Sequence, residues 1–556
     1  MSDIRKAMDL VNKSKSFDYY GINMNMLYKI RRSIEPILLN ITNLSIYNSV
    51  FPEVLKINKI IPIPKDKDYL SPNNFRAINI FNPISKIIEK CWSFQIINYL
   101  EEKMYLKDNH QGGIKGRGTV TATLNLNSKI NSIINKKKIA AIIGLDQSSC
   151  FEIIDHSILL KKMAHIGFNT QTCKLINEFL SNRKQYVELN TKSSDLLLVG
   201  NQSVFQGSIL SCIFYNIFCL DIPFIPHNLP NSLEHSSHYE YYKCDQPFMV
   251  SYIDDLFAVI EVEKDNIWEE IRKYIKLMNI YYTSNRLKIN IDKTQILLSG
   301  SNVKVRGNIV IEDKTIYNKP NMKILGTIYS EDTKFNNHVT FGTNSLLTQL
   351  KRRSAAITRI AKPFDLKFKS QLIQSLLIGK IRYNIQTWGN LSVELKYKIN
   401  KIISNTVDNI TNNIWFGRDT KWKMKQLNIP NFYRIYYDSA YIQTYKYLND
   451  KTNAMNYILT KNRNINLLAQ NKCSSFNPDK TPSYITKLSF ESIMRKKYNL
   501  LPREITLSPN IKLFKKWIKR HQDMTEYDRY PARIDNTTTH VPVISHMKIS
   551  YCSKIY

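Results

Sequence analysis

Two apolar, β-branched stretches that each run into carboxylates constrain this chain more than anything else in it. They are KKIAAIIGLD, ending on Asp146, and MVSYIDDLFAVI, carrying Asp254 and Asp255. The first predicts a buried strand with an acid at its rim. The second predicts two strands, MVSYI and LFAVI, joined by a tight turn that holds both aspartates. Adjacent like charges at a hairpin tip repel, and a hairpin built only for its turn more often carries Asn-Gly or Asp-Gly. A bound cation removes that repulsion. Three carboxylates on strand ends therefore predict a site for hard divalent ions such as Mg²⁺, which complete their shell with water and substrate phosphates. Two such ions about 3.5–4 Å apart clamp the attacking and leaving oxygens of an in-line displacement at phosphorus. Taken alone, Asp146 reads more readily as a turn residue or helix N-cap. The pair at 254–255 argues for metal by itself.

A chain of 556 residues with 43% hydrophobic content has room for roughly three or four compact units with ordinary cores. Its 79 Lys and Arg against 46 Asp and Glu leave a formal charge of +33, spread along the whole length. A soluble basic surface accounts for part of this. A surplus so large repels itself in a free protein, so a long polyanion, nucleic acid, is the predicted partner. The eight cysteines show no CxxC pair and no zinc spacing and read as reduced intracellular thiols. The start, MSDIRKAMDL, lacks the apolar core of a signal peptide. The greasiest run, 209–226, is interrupted by Asn216 and Asp221, so no membrane span is predicted.

Along the chain, Leu27, Ile30, Ile34, Ile37, Ile41 and Leu44 recur at helical spacing. KINKIIPIP predicts a strand over 56–64, and a helix is predicted over 84–100. The glycine-rich QGGIKGRGT follows at 111–119. Strands alternate with helices from 137 to 330, the pattern of a sheet backed by helices. In SVFQGSILSCIFYNIF, Gln206, Gly207 and Ser208 precede an apolar run. They read as a plain loop-to-helix turn with a Ser cap, or as a point of close backbone approach to a nucleotide at Gly207, with Gln206 beside the base pair. Beyond 340, Leu346, Leu350, Ile357 and Ile360 stripe a helix whose other positions include Lys351, Arg352, Arg353 and Arg359. A second helix is predicted over 369–383, and the rest is mostly helical, looser near 461–482 and 521–545.

Taken together, these stretches resemble the reverse transcriptases of non-LTR retrotransposons, most closely the LINE-like, jockey-type elements. PIPK at 62–65, NNFRAINIF at 73–81, SKIIEK at 85–90, QGGIKGRGT and DQSSCFEIIDH at 146–156 stand in the family's order. FLSNRKQYVEL at 179–189, FQGSILS at 205–211, YIDD at 252–255, LKINIDKTQ at 287–295 and KILGT at 323–327 continue it. IRYNIQTWG at 381–389 and LSFESIMRKKYNLLP at 488–502 extend the likeness over nearly the whole chain.

The resemblance implies an α+β right-hand polymerase. Its parts would be an N-terminal helical extension to 50, fingers over 51–137, a palm over 138–335, a thumb over 336–405 and a helical region over 406–556. It implies RNA-directed DNA synthesis on an RNA template from a DNA primer, with dNTPs and two Mg²⁺ ions, Mn²⁺ being a possible substitute. Asp146 and Asp254 would be the principal metal ligands, completed by Asp255. Lys293 would neutralise or protonate the departing pyrophosphate. Lys65 and Arg76 would grip the triphosphate, Arg as a bidentate fork. Phe151 would be the steric gate against a ribose 2′-hydroxyl, Gln206 and Gly207 would line the nucleotide pocket, and KILGT would be the primer grip. The protein would be intracellular, nuclear with a cytoplasmic ribonucleoprotein stage.

The chain departs from the family pattern at Phe205, Cys212 and Ala77, where proline is usual, at Glu152, where Asp is usual, and in the GGIKGRGT loop. About 55 residues precede the finger motifs, too few for the family's endonuclease domain, and no RNase H pattern or zinc knuckle follows, so the chain reads as a partial element protein. In SPNIKLFKKWIKRH, Ser508 and Pro509 suit an N-cap and first turn, with Ile511, Phe514, Trp517 and Ile518 on one face. The basic remainder predicts a docked helix lending charge to template binding; membrane-surface or calmodulin-type binding is the alternative. Two other readings stay open: a decayed or domesticated copy that only binds nucleic acid, and a group II intron-like enzyme.

Overall fold

A computed structural model describes residues 1–65, 71–147, 151–189, 192–222, 248–300, 305–311 and 313–449, and, in the C-terminal part, 490, 493–494, 498, 501 and 503–520. Helices and mixed sheets together make an α+β chain. Strands β1 (Ile57–Pro64) and β2 (Phe75–Ile80) form an antiparallel hairpin. β3 (Ile139–Gln147) founds a second sheet. β4 (Lys184–Leu189) lies parallel to β1, edged by the short β5 (Lys192–Ser193) and β6 (Leu197–Leu198). Pairing of β1 with β4 stops at Ile60, so Pro62 and Pro64, which cannot donate to a ladder, fall where β1 has a neighbour on one side only.

β7 (Phe248–Tyr252), β8 (Asp255–Val262) and β9 (Ile289–Ser299) complete the second sheet in the order β7-β8-β3-β9, antiparallel throughout. β3 is central, and its run from Ala140 to Ile143 is fully buried. Strand alternation sends these residues into two cores. Ala141, Ile143 and Leu145 join the large core under helices His156–His165, Ser211–Phe218 and Ile267–Ser284. Ala140 and Ile142 join a second core with Ala122, Leu126 and Ile130 of helix Thr119–Asn135. Two further hairpins follow, β10 (Asn308–Ile311) with β11 (Lys314–Tyr317), and β12 (Asn321–Ile324) with β13 (Thr327–Ser330). Met322 and Ile324 of β12 pack into that second core, on the face of the sheet that carries helix Thr119–Asn135.

Three helix readings need correction. The stripe from Leu27 to Leu44 is split at Ile30 into helices Met24–Lys29 and Arg31–Asn48, and Ile30, Ile37 and Leu44 face outward. The buried face of the longer helix centres on Leu38, Thr42 and Ser45, because what packs against a helix decides its inner face. Helix Leu346–Ile360 buries Leu346, Leu350 and Ile357 as expected, but Ile360 turns outward and Ala361 is buried. In place of one helix over 369–383, Leu366–Leu372 runs into a wide π-type turn at Ile373–Ile378 and a last turn at Gly379–Arg382.

Helices from Leu346 to Tyr436 share a third core around Trp388, Ile399 and Phe432. Helix Val393–Thr411 runs across position 405 within it. The basic C-terminal helix is Ile511–Arg520, docked by Phe514 and Ile518 against helix Phe432–Asn449. Its cap is Asn510, whose side chain accepts from the amides of Lys512 and Leu513 at 3.1 and 3.0 Å. Ser508 instead donates to the carbonyl of Ile505. The stretches 461–482 and 521–545 lie outside the described residues.

Candidate active site

The β3–β8 register places Asp146 directly opposite Asp255. Cross-strand partners share a face, with Cβ atoms about 4.5–5.5 Å apart. Strand alternation puts both on the side of Gly144 and Phe257, the side that carries helix Thr119–Asn135 and the β12–β13 hairpin. Of the two adjacent acids, only Asp254 sits in the turn; Asp255 is the first residue of β8, paired across the hairpin with Tyr252. The other turn residue, Ile253, has φ 56°, a left-handed conformation that a β-branched side chain resists. Local strain is therefore stored beside Asp254.

The QGGIKGRGT loop holds that strained turn in place. Ser251 donates its amide to Asn109 and accepts from the amide of Gln111, both at 2.8 Å, so the loop pairs with β7. A Cβ on Gly112 would stand 2.4 Å from the amide nitrogen of Ile253, so only glycine lets the loop lie against the turn. Arg117 points inward, donating to the carbonyls of Lys107, His110 and Leu106. Its charge is used to fold the loop.

Burial pushes the Asp255 carboxyl up to about 6, reinforced by the charges of Asp254 and Asp146 and opposed by Lys293. Lys293 on β9 brings its Nζ to 3.3 Å from Asp146 Oδ2. The structure thus joins all four predicted catalytic residues. Among the described residues no three His, Cys, Asp or Glu side chains close on one point as a complete metal cage. The donor set nonetheless fits a hard divalent ion that takes water and substrate phosphates as further ligands, and the mutual repulsion felt by Asp255 is what a cation relieves.

Phe151, five positions beyond Asp146, is half-buried against the large core, its ring 5.5 Å from that of Tyr215. The Tyr215 hydroxyl donates to Gln147 Oε1 at 2.7 Å, and Gln147 Nε2 donates to the Tyr282 hydroxyl at 2.8 Å. A chain of contacts thus ties the predicted gate to the residue after Asp146. Residues 148–150 lie outside the described residues.

Lys65 and Arg76 stand exposed at the loop end of the β1–β2 hairpin, where the 65–74 connection joins the strands. Arg76 faces Ile63 across the ladder, and period-two alternation puts Lys65 on that same face. Gln206 accepts at its carbonyl from the amide of Asn79 on β2 at 3.0 Å, tying the 205–208 loop to the β1–β2 hairpin. A Cβ on Gly207, at φ 114°, would stand 2.5 Å from the Asn79 carbonyl, so the close approach here is to β2 itself. The loop is pinned from behind by the buried Glu89, which accepts from Ser208 Oγ at 2.6 Å and from the Ile209 amide at 2.8 Å. Phe205 packs edge-on against Phe81 and under the guanidinium of Arg183, which burial pushes down to about 10.

In the β12–β13 turn, Leu325 adopts φ 44°, and its carbonyl accepts from the Tyr383 hydroxyl at 2.9 Å and from Asn384 Nδ2 at 3.2 Å. KILGT is therefore held between the sheet face that bears the aspartates and the 383–384 segment.

The family model for reverse transcriptase (RNA-dependent DNA polymerase) matches residues 63–329, from the end of β1 to β13. Residues 63–329 are a reverse transcriptase domain. The chain is 22% identical over 371 residues to the probable RNA-directed DNA polymerase from transposon BS of Drosophila melanogaster, covering 65% of this chain and 39% of that protein. It is 25% identical over 154 residues to the Pol polyprotein from the type-1 retrotransposable element R2 of Popillia japonica, covering 28% of this chain and 21% of that one. These relatives bear out the non-LTR resemblance, and the chain spans well under half the length of either. Among solved structures, apo telomerase from Candida tropicalis matches with a TM-score of 0.36 and 14% identity, over 75% of this chain and 72% of that one.

The reverse transcriptase domain uses residues that pattern alone did not single out. Gln147 follows the first aspartate directly, and Glu89 lies in SKIIEK, a motif quoted without a role. Gly112 sits in the loop that departs from the family pattern. Tyr215 carried no signal, since an aromatic in an apolar helix reads as core.

Proposed function

We propose that this chain is an RNA-directed DNA polymerase that extends a DNA primer on an RNA template with deoxynucleotides. The observation that carries the reading is the register of Asp146 against Asp255, with Lys293 at 3.3 Å from Asp146. Asp146, Asp254 and Asp255 would hold two Mg²⁺ ions, or Mn²⁺ in their place, which when bound supply an activated 3′-hydroxyl and charge neutralisation at the leaving phosphates. Lys65 and Arg76 would draw the triphosphate down from the finger hairpin. Lys293 would stabilise the departing pyrophosphate, and Phe151 would exclude a 2′-hydroxyl. KILGT would position the primer end over the aspartates. The excess of basic residues supports a long hybrid held through its phosphates. Fingers, palm and thumb would divide near residues 137 and 335, and the chemistry would take place in the nucleus, where chromosomal DNA offers a primer end.

The test is primer extension by the purified chain on a primed RNA template with Mg²⁺ and deoxynucleotides. Extension that vanishes in Asp254→Asn, with template binding retained, is expected. Binding without extension by the unaltered chain would replace this reading with that of a nucleic-acid-binding protein.

A further inference from the structure

We infer that the chain carries a second nucleic-acid site: a basic groove for an unpaired strand, walled by thumb and C-terminal helices and lined by none of the palm residues named above. The groove encloses about 1410 Å³ between the 382–386 segment and helices Thr420–Gln426, Phe432–Asn449 and Ile511–Arg520. Small-molecule pockets run to about 300–1,000 Å³, so this space suits a chain-like ligand.

Charge identifies the ligand as a polyanion. Arg382, Lys421, Lys425, Lys446, Lys515 and Lys519 line the groove. Of the two acids there, Asp438 pairs with Arg434 at 3.2 Å and Asp419 caps its helix by accepting from the Trp422 amide at 2.8 Å. Burial and the nearby Lys515 both disfavour the charged form of Lys446, so this pair gains from an anion beside it. Phosphates at successive lysines would release counterions and bind with a strong salt dependence.

The rest of the lining selects an unpaired strand among polyanions. Trp422 and Tyr433 bring aromatic surface to the same space, Arg418 and Lys396 lying over their rings at 5.1 and 5.9 Å, and Asn431, whose Oδ1 accepts from the Arg434 amide at 2.9 Å, keeps its side-chain NH₂ as a donor to base edges. A duplex hides its base faces and Watson–Crick edges, and an acidic polypeptide would leave the rings and amides unused. Position supplies the purpose. Arg382 and Gln386 line the groove, while Tyr383 and Asn384 between them hold the Leu325 carbonyl of the primer-grip turn. A strand in the groove would pass within a few residues of the primer grip. Binding here does not depend on the polymerase reading, because it needs neither metal nor nucleotide.

The experiment titrates the full chain against fluorescein-labelled oligouridylate and oligothymidylate, without divalent metal, at several salt concentrations. In the K425E/K446E/K515E variant, affinity should fall at least about ten-fold, and the slope of log K against log salt should flatten by about two, at roughly 0.7 per phosphate contact. K425R/K446R/K515R should keep both. Photo-cross-links from 4-thiouridine in the unaltered chain should map to peptides containing Trp422 or Tyr433, which decides the matter even if the glutamate variant does not fold. The tighter of the two oligonucleotides names RNA or DNA as the strand. Unchanged affinity and slope in the glutamate variant, or cross-links confined to the palm, would overturn the proposal. So would polyglutamate competing as well as the oligonucleotides, which would point to an acidic protein partner.

Discussion

Asn384 donates its side-chain amide to the carbonyl of Leu325 at 3.2 Å, so a buried residue 59 positions on holds the tip of the β12–β13 hairpin. The same amide reaches Thr327 Oγ1 at 3.2 Å, and its Oδ1 accepts from Thr119 Oγ1 at 3.0 Å. Thr119 opens the helix that supports the aspartate-bearing sheet. One side chain therefore ties together the helix under the aspartate-bearing sheet, the β12–β13 turn and the 381–389 segment. Its φ of 51° is one that asparagine tolerates better than most residues.

Replacing Asn384 by Ala leaves the half-buried Thr119 and buried Thr327 hydroxyls without this partner and should cost about 1–3 kcal/mol in unfolding free energy. The functional mark should be a raised KM for primer–template with the KM for deoxynucleotide little altered, since the turn it holds is the proposed primer grip. Steady-state kinetics read the two constants separately. A loss of stability with both constants unmoved would reduce Asn384 to a packing residue.

Gly112→Ala should damage activity more than stability. The new methyl would meet the Ile253 backbone, which cannot rotate away, so the turn carrying Asp254 must shift. A displacement of that order at a reacting centre lowers turnover by about a hundred-fold. Melting curves alongside single-turnover extension check this; wild-type turnover would show that the loop does not set the turn.

Phe151→Val should raise ribonucleotide incorporation relative to deoxynucleotide by roughly ten- to hundred-fold, the range for a pocket that loses a steric contact. Tyr215→Phe, which keeps the ring beside Phe151 but loses the bond to Gln147, should shift selectivity in the same direction by less. Competition between labelled ribo- and deoxynucleotides measures both, and selectivity unchanged in Phe151→Val removes it as the gate.

Acid should weaken the fold through buried histidines. Burial pushes His110 down to about 4, and its Nδ1 has no hydrogen-bond partner among the described residues. Between pH 6.5 and about 4 the unfolded chain binds the proton that the folded one refuses, so stability falls as pH drops through that window and levels below it. The loss from His110 could reach roughly 3 kcal/mol. His338, also pushed to about 4 by burial, titrates in the same window. His110→Gln should flatten part of the slope in chemical denaturation between pH 7 and pH 4.5; an unchanged slope would mean that His110 is protonated in the fold.

The local period of the chain made the β1, β3, β7 and β8 strands legible, along with the three aspartates at their ends, because alternation and apolar runs are written in consecutive residues. Motif order then supplied the polymerase frame and the roles proposed for Lys65, Arg76, Phe151, Gln206, Gly207 and Lys293. The helix faces were less legible. Ile30, Ile37 and Leu44 keep helical spacing and still point outward, since spacing says which residues share a side and not which side is covered.

By itself, then, the amino-acid order determined where carboxylates, strands and basic helices lie along the chain. Only the tertiary structure decided that Asp146 faces Asp255, that Glu89 braces a loop 119 positions away, and that Asn384 meets Thr119 across 265. Those contacts depend on strand register and on long-range packing, in which partners distant along the chain satisfy buried polar groups that no local pattern can pair.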